Sequence, residues 1–197
     1  MKYLFIDSAT TNLVVAIIND GKIAYLYNNN DNRDTSSKMM PVLAEAFSKA
    51  SLKPTDIDKI FVVTGPGSFT GIRVGLTVAK TMAYALNIPI VSLSSLEVMV
   101  SGTAGTALIN ARRGYVFAGS YDDDLNVIKE DSYLLMSKDF IKPYISYDDF
   151  DFETIKPSID VFKVIKKHEN DEAVNPHLIK PNYLKLTEAE EKLKSHD

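Results

Sequence analysis

Apolar and polar positions along the chain form short strand-like blocks before any helical period sets in. Tyr3-Leu4-Phe5-Ile6, within a strand over residues 2–8, is a continuous apolar block cut by Asp7, and Leu13 to Ile18 is a second, β-branched block. Asp20-Gly21 separates it from Lys22-Ile23-Ala24-Tyr25-Leu26-Tyr27, and strand-like runs joined through Asp-Gly predict a hairpin. The polar stretch Asn28 to Asn32 reads as a loop. The period then becomes helical: Met39, Val42, Leu43, Ala46, Phe47 and Ala50 form one stripe, with Asp34 or Thr35 as the cap and Pro41 in the first turns. Ile60 to Val63 is a fully apolar strand, 65–71 a glycine-rich loop, and a second helix runs to about Leu86. Ile88 to Leu93 is the next strand, and Ser94 or Ser95 caps a short helix through Val100. Three antiparallel strands followed by alternating helices and strands predict an α/β protein of the two-lobed actin/sugar-kinase/Hsp70 architecture, with a ribonuclease-H-like first lobe over residues 1–101.

Ser101 to Thr106 is rich in small residues and reads as a junction. A smaller, shortened second lobe then occupies residues 102–197. Ala107 to Ala111, Tyr115 to Tyr121 and Val127 to Met136 read as its strands, turning at Arg112-Arg113-Gly114 and around Asp122-Asp123-Asp124. Beyond Ser137 the pattern weakens. Tyr144 to Glu153 is aromatic and acidic, and its run from Asp148 to Glu153 reads as a solvated loop. Lys185 to Lys194 reads as an exposed helical tail.

Composition changes this picture mainly by exclusion. The 197 residues are 45% hydrophobic and 24% charged, which is globular rather than disordered. A net charge of -4 does not give a free-standing RNA binder its basic surface; Lys163, Lys166 and Lys167 are the local exception, and a partner is expected to carry most of any RNA contact. Cysteine is absent, which removes disulfides, thiolate metal sites and a cysteine nucleophile. The opening apolar run is too short for a signal peptide or a membrane span, so the expected location is the cytoplasm. The three histidines, His168, His177 and His196, lack the spacing of four that lets two imidazoles on a helix share a metal. No catalytic residue and no metal site are therefore expected. Asp7 reads either as a turn cap or as a carboxylate at the mouth of a lobe. Ser8 and Ser68 have no histidine base nearby in the sequence.

The most informative stretch is Gly65-Pro66-Gly67-Ser68-Phe69-Thr70-Gly71-Ile72-Arg73-Val74-Gly75. It follows a buried strand and opens a long helix. Ser68 or Thr70 serves as the cap, and the free N–H groups of the helix start, with Arg73 nearby, suit an anion; the alternative is a tight turn with no ligand. The candidate nucleotide or anion loop is Asp7, Gly65, Gly67, Ser68, Thr70, Gly71 and Arg73. Its spacing fits neither a Walker A loop nor a dinucleotide fingerprint. The helix that follows has two apolar stripes, Ile72-Leu76-Ala79-Ala83-Leu86 and Val74-Val78-Met82-Ala85. The second stripe must be covered by the first helix or by another chain.

These segments resemble the TsaB (YeaZ) family. The loop is similar to the family signature, and Ile6-Asp7-Ser8-Ala9-Thr10 resembles its first strand ending in Asp-Thr-Ala/Ser. Asn110-Ala111-Arg112-Arg113-Gly114-Tyr115-Val116-Phe117 resembles its Asp-Ala-Arg-x-Gly-Glu-Val-Tyr, and Pro181-Asn182-Tyr183-Leu184-Lys185 with Glu188-Ala189-Glu190 resembles its closing motif. Departures are Asn110 for Asp, Tyr115 for Glu, no histidine in Thr35-Ser36-Ser37-Lys38, and a short second lobe. The resemblance implies a non-catalytic relative of TsaD, the transferase of tRNA threonylcarbamoyladenosine synthesis. It implies pairing with TsaD through first-lobe helices, a homodimer through much the same surface, and the ATPase TsaE as a further partner. ATP or ADP is expected only at the level of the complex, and tRNA only through it. The interface residues expected are Met39, Leu43, Val74, Val78 and Met82. The rival reading is a stand-alone nucleotide-dependent enzyme or peptidase of the same fold.

Overall fold

The structure is a computed structural model that describes residues 1–29, 34–137 and 139–185. The acidic tail with Glu188, Ala189 and Glu190 and part of the polar loop 28–32 lie outside the described residues. The first sheet holds β1 (Lys2–Asp7), β2 (Leu13–Asn19), β3 (Lys22–Asn29), β4 (Lys59–Gly65) and β5 (Ile90–Ser94) in the order β3-β2-β1-β4-β5. β1 and β2 pair antiparallel, as do β2 and β3, whereas β1–β4 and β4–β5 are parallel. This is the two-lobed α/β architecture expected from the order of the blocks.

Both faces of this sheet are covered, which explains why its strands read as unbroken apolar runs rather than alternations. Leu4, Ile6, Val15, Ile17 and Val62 face one layer, α1 (Thr35–Ala50) and α2 (Phe69–Leu86). Tyr3, Phe5, Val14, Ala16 and Phe61 face the other, α3 (Ser95–Met99) and α4 (Val161–His168). Of the alternative caps, Asp34 accepts the Ser37 N–H at 3.3 Å for α1, Ser68 the Gly71 N–H at 3.2 Å for α2, and Ser94 the Leu96 N–H at 3.1 Å for α3.

The second sheet runs β8-β7-β6-β9, with β6 (Gly105–Asn110), β7 (Tyr115–Tyr121), β8 (Val127–Leu135) and the two-residue β9 (Tyr144–Ile145). The last part of the chain does not stay with it. Val161, Val164 and Ile165 of α4 pack in the first sheet's core. Residues 174–182 then run back across that sheet: Val174 N–H donates to Ile90 O at 2.9 Å, Asn182 N–H to Thr64 O at 2.8 Å, and Ile179 is buried beside α2. The division at residue 101 therefore separates the sheets but not everything that follows. α4 went unread because Val161, Val164 and Ile165 give an eight-residue helix too little apolar period to stand out. Among the described residues no helix is long and apolar enough to cross a membrane.

Candidate functional site

The C-terminal ends of β1 and β4 open into a cleft of about 580 Å³ between the glycine loop and the end of the second sheet. Thr10 and Thr11 of the β1–β2 turn, Ser68 and Thr70 of the loop, and Phe117 and Arg112 of the second sheet are among its lining residues. The loop itself is braced by the chain. Ser68 N–H donates to Ala9 O at 2.6 Å, Ser8 Oγ donates to Gly71 O at 2.8 Å, and Ser95 Oγ donates to Pro66 O. Gly67 has φ +150°, and a Cβ there would stand 1.9 Å from Ala9 O, so the loop can lie this close to the β1–β2 turn only as glycine.

The predicted loop residues are drawn together only in part. Gly67, Ser68, Thr70 and Gly71 line the cleft. The Gly71 N–H is taken by the Ser68 cap and the Ile72 N–H by Ser68 O at 2.9 Å, so the α2 N–H groups left at the helix start are those of Phe69 and Thr70. Gly65 lies behind the loop against the Asn182 carbonyl. Arg73, expected to face an anion, turns to the C-terminal segment instead: its Nε donates to the Tyr183 hydroxyl at 2.9 Å and its guanidinium lies 3.8 Å from the Phe69 ring centroid. Phe69 and Tyr183 are themselves stacked at 5.2 Å. The signal for this staple was the Pro-x-Tyr motif at 181–183, whose spatial partner no local spacing reveals.

Asp7 is buried beneath the cleft rather than lining it. Its Oδ1 accepts the Ala9 N–H at 2.8 Å, the turn-cap arrangement. Burial raises its pKa to about 7, with the Ala9 hydrogen bond pulling partly the other way. Asn12, also buried, donates through Nδ2 to the Tyr147 hydroxyl and to Asn28 Oδ1, each at 2.8 Å, tying the two sheets together beside the cleft. Among the described residues no three His, Asp or Glu side chains converge as a metal site would require.

The other predicted surface is the outer face of α1 and α2. Val74, Val78 and Met82 are partly buried against the core, with solvent still reaching them. Thr77, Thr81 and Ala85 beside them, and Met40, Pro41 and Ala44 on α1, are exposed. Lys80, the one charged α2 residue between Val74 and Tyr84, donates to Ile179 O at 2.8 Å. Met39 and Leu43, expected at this surface, are instead in the chain's own core at 0% and 4% exposure, because their stripe is the one that α1 turns to the sheet. Two of the three lysines of the predicted basic patch, Lys163, Lys166 and Lys167, are paired within the chain. Lys166 pairs with Glu169 at 2.5 Å, and Lys167 pairs with the buried Glu97 at 2.8 Å.

Comparison with known proteins gives a consistent picture. Residues 29–147 match the family model described as TsaD: tRNA N6-adenosine threonylcarbamoyltransferase. The chain is 29% identical over 224 aligned positions to the tRNA threonylcarbamoyladenosine biosynthesis protein TsaB of Bacillus subtilis, covering 98% of this chain and 97% of that one. It is 32% identical over 135 positions to the protein of the same name from Escherichia coli, covering 65% and 58%. Its fold is similar to that of YeaZ from Pseudomonas aeruginosa, with a TM-score of 0.78 at 18% identity over 93% of this chain and 99% of that one.

Proposed function

The chain belongs to the TsaB family of tRNA threonylcarbamoyladenosine biosynthesis proteins, and from that premise we propose that it is a non-catalytic subunit that docks and supports TsaD. The observation that carries the proposal is the outer α1–α2 face. A helix whose second stripe (Val74, Val78, Met82) is half-buried, flanked by small uncharged residues, lets another helix pair approach closely and gain apolar burial. The same face serves a homodimer, which TsaD displaces. TsaE and tRNA then meet this chain through the complex, and ATP or ADP enters at that level. The buried, amide-bonded Asp7 favours a structural over a catalytic role for the one carboxylate at the end of β1.

The test is co-purification with the organism's own TsaD, read by size-exclusion chromatography with light scattering. A one-to-one complex is expected. Val78→Glu leaves the fold intact by circular dichroism but places an unpaired charge in the interface, and TsaD affinity falls at least about tenfold. Unchanged affinity in that variant removes α2 from the interface. Nucleotide or peptide turnover by the isolated chain, lost in Asp7→Asn or Ser68→Ala, overturns the non-catalytic reading.

A further inference from the structure

The open end of the second sheet carries a cluster of partly exposed rings outside the α1–α2 face. Tyr115 pairs in register with Leu135, and Phe117 with Tyr133, so these four side chains share one face of β7 and β8. Tyr115 and Tyr133 stack at 4.8 Å with 14° between their planes, and Phe117 lies 5.5 Å from Tyr133 and faces the cleft. All three rings are only partly buried, and Leu135 is 58% exposed.

Cations border these rings. Lys185 Nζ stands 5.5 Å from the Tyr133 ring. The β6–β7 turn presents Arg112 and Arg113, both exposed, at φ +68° and +54°. Tyr115 N–H donates to Arg112 O at 3.0 Å, so Arg113 and Gly114 are the centre of this turn, and Arg112, Arg113 and Gly114 are three consecutive left-handed positions, a backbone that arginine adopts only at a cost. None of the three cations has an ion-pair partner among the described residues. The carboxylates that line the cleft, by contrast, are already bonded to backbone amides: Asp148 Oδ2 accepts the Asn110 N–H at 2.7 Å, and Asp34 caps α1. The region thus offers apolar ring faces beside three cations without an ion-pair partner among the described residues, in a cleft that also holds the Asp34 and Asp148 carboxylates.

We propose that this surface is a platform for an unstacked stretch of RNA. Bases stack on the Tyr115–Tyr133 pair and reach toward Phe117, while phosphates take Arg112, Arg113 and Lys185. Stacking on rings tolerates any base, and backbone cations supply affinity without sequence preference, which is the chemistry of single-stranded RNA recognition. A net charge of -4 makes the platform weak alone, so it acts within a larger assembly. The inference therefore rests on the reading that this chain joins TsaD.

The experiment titrates a fluorescent, unmodified tRNA transcript with the purified complex and follows anisotropy at several salt concentrations. Three complexes are compared: wild type, Tyr133→Leu, and Arg112→Gln with Arg113→Gln. The tyrosine variant is expected to bind about fivefold or more weakly at every salt concentration. The double arginine variant is expected to lower the slope of log affinity against log salt by about 1.4. Complexes that assemble normally and bind tRNA with unchanged affinity and slope overturn the platform. Variants that lose TsaD instead mark the surface as a protein interface and also overturn it. If the wild-type chain forms no complex, the assembly reading fails separately, and titration of the isolated chain with single-stranded RNA decides the platform by the same variants.

Discussion

The two sheets are buried in different ways. The first is a sandwich filling, with α1 and α2 on one face and α3 and α4 on the other, and Leu4, Phe5, Ile6 and Phe61 are all fully buried. The second meets the first along part of one face. Its outer face is covered by a small cluster around Leu108, Val116, Ala118, Phe140 and Tyr144, and the first half of β8 is exposed. A position held from both sides has little freedom to change, whereas an open sheet end can carry rings and charges at small structural cost. Rigid support and adaptable contact are thereby placed on either side of one cleft.

The sharpest test of this contrast places the same substitution in both regions. Gly67→Ala sets a methyl 1.9 Å from Ala9 O at φ +150°, so the loop must leave the β1–β2 turn. A loss of about 3 kcal/mol or more is expected, read from the urea midpoint. Gly114 turns the second sheet at φ +79° with nothing within 4 Å of an added Cβ. Gly114→Ala should cost only about 1–2 kcal/mol, the left-handed backbone penalty. Equal losses would mean that the second sheet is as tightly held as the first.

A smaller effect separates the regions by pH. Burial raises the Asp7 carboxyl from 3.8 to about 7, so between those values the native state binds more protons than the unfolded chain. This group therefore makes the protein less stable as pH rises through that window. Asp7→Asn removes the dependence, and relative to wild type the variant gains stability steadily as pH rises between pH 4 and pH 7. Asp122, in the β7–β8 turn, has the opposite sign. Its hydrogen bonds from Asn126 hold its pKa below the ordinary value, so its contribution is present at neutral pH and lost as pH falls through the folded pKa. Denaturation midpoints of Asp7→Asn and Asp122→Asn measured from pH 3 to 8 should diverge from wild type in opposite directions. Parallel profiles would remove the difference in burial as the cause.

What the sequence made legible follows the same division. The five strands and three helices of the first sheet were readable because burial on both faces writes itself as apolar runs and stripes. The glycine loop was readable because glycine is required where Gly67 meets Ala9. Met39 and Leu43 were misplaced because a stripe shows that a helix buries one side without showing against what. Arg73 was misplaced because its partner, Tyr183, lies 110 residues away. The short β9 and α4 are held by contacts distant in sequence, with Ile145 and Val164 both in the first sheet's core. No local period records such contacts.

The smallest effect concerns the joint between the regions. His168 of α4 lies with Nε2 2.9 Å from Glu97 Oε1 and Nδ1 2.6 Å from Asp171 Oδ2, while Lys167 beside it bonds both Glu97 and the Leu125 carbonyl of the β7–β8 turn. Burial opposes charge on the imidazole, but the hydrogen bonds to Glu97 and Asp171 outweigh it and raise its pKa. The same joint lowers the Glu97 pKa: burial acts upward, and the bonds from His168 and Lys167 prevail. A histidine with a raised folded pKa contributes stability in full below its unfolded value near 6.5 and loses it as pH climbs through the folded value. His168→Gln should therefore cost most at pH 6 and least at pH 9, with solvent screening holding the difference to about 1 kcal/mol or less. Because α4 is the clasp that returns the chain to the first sheet, hydrogen exchange should quicken in α4 and around Leu125 and leave β1 and β4 unchanged. Faster exchange in β1 would show that the clasp supports the sandwich itself, and the two regions would then have to be treated as one cooperative unit.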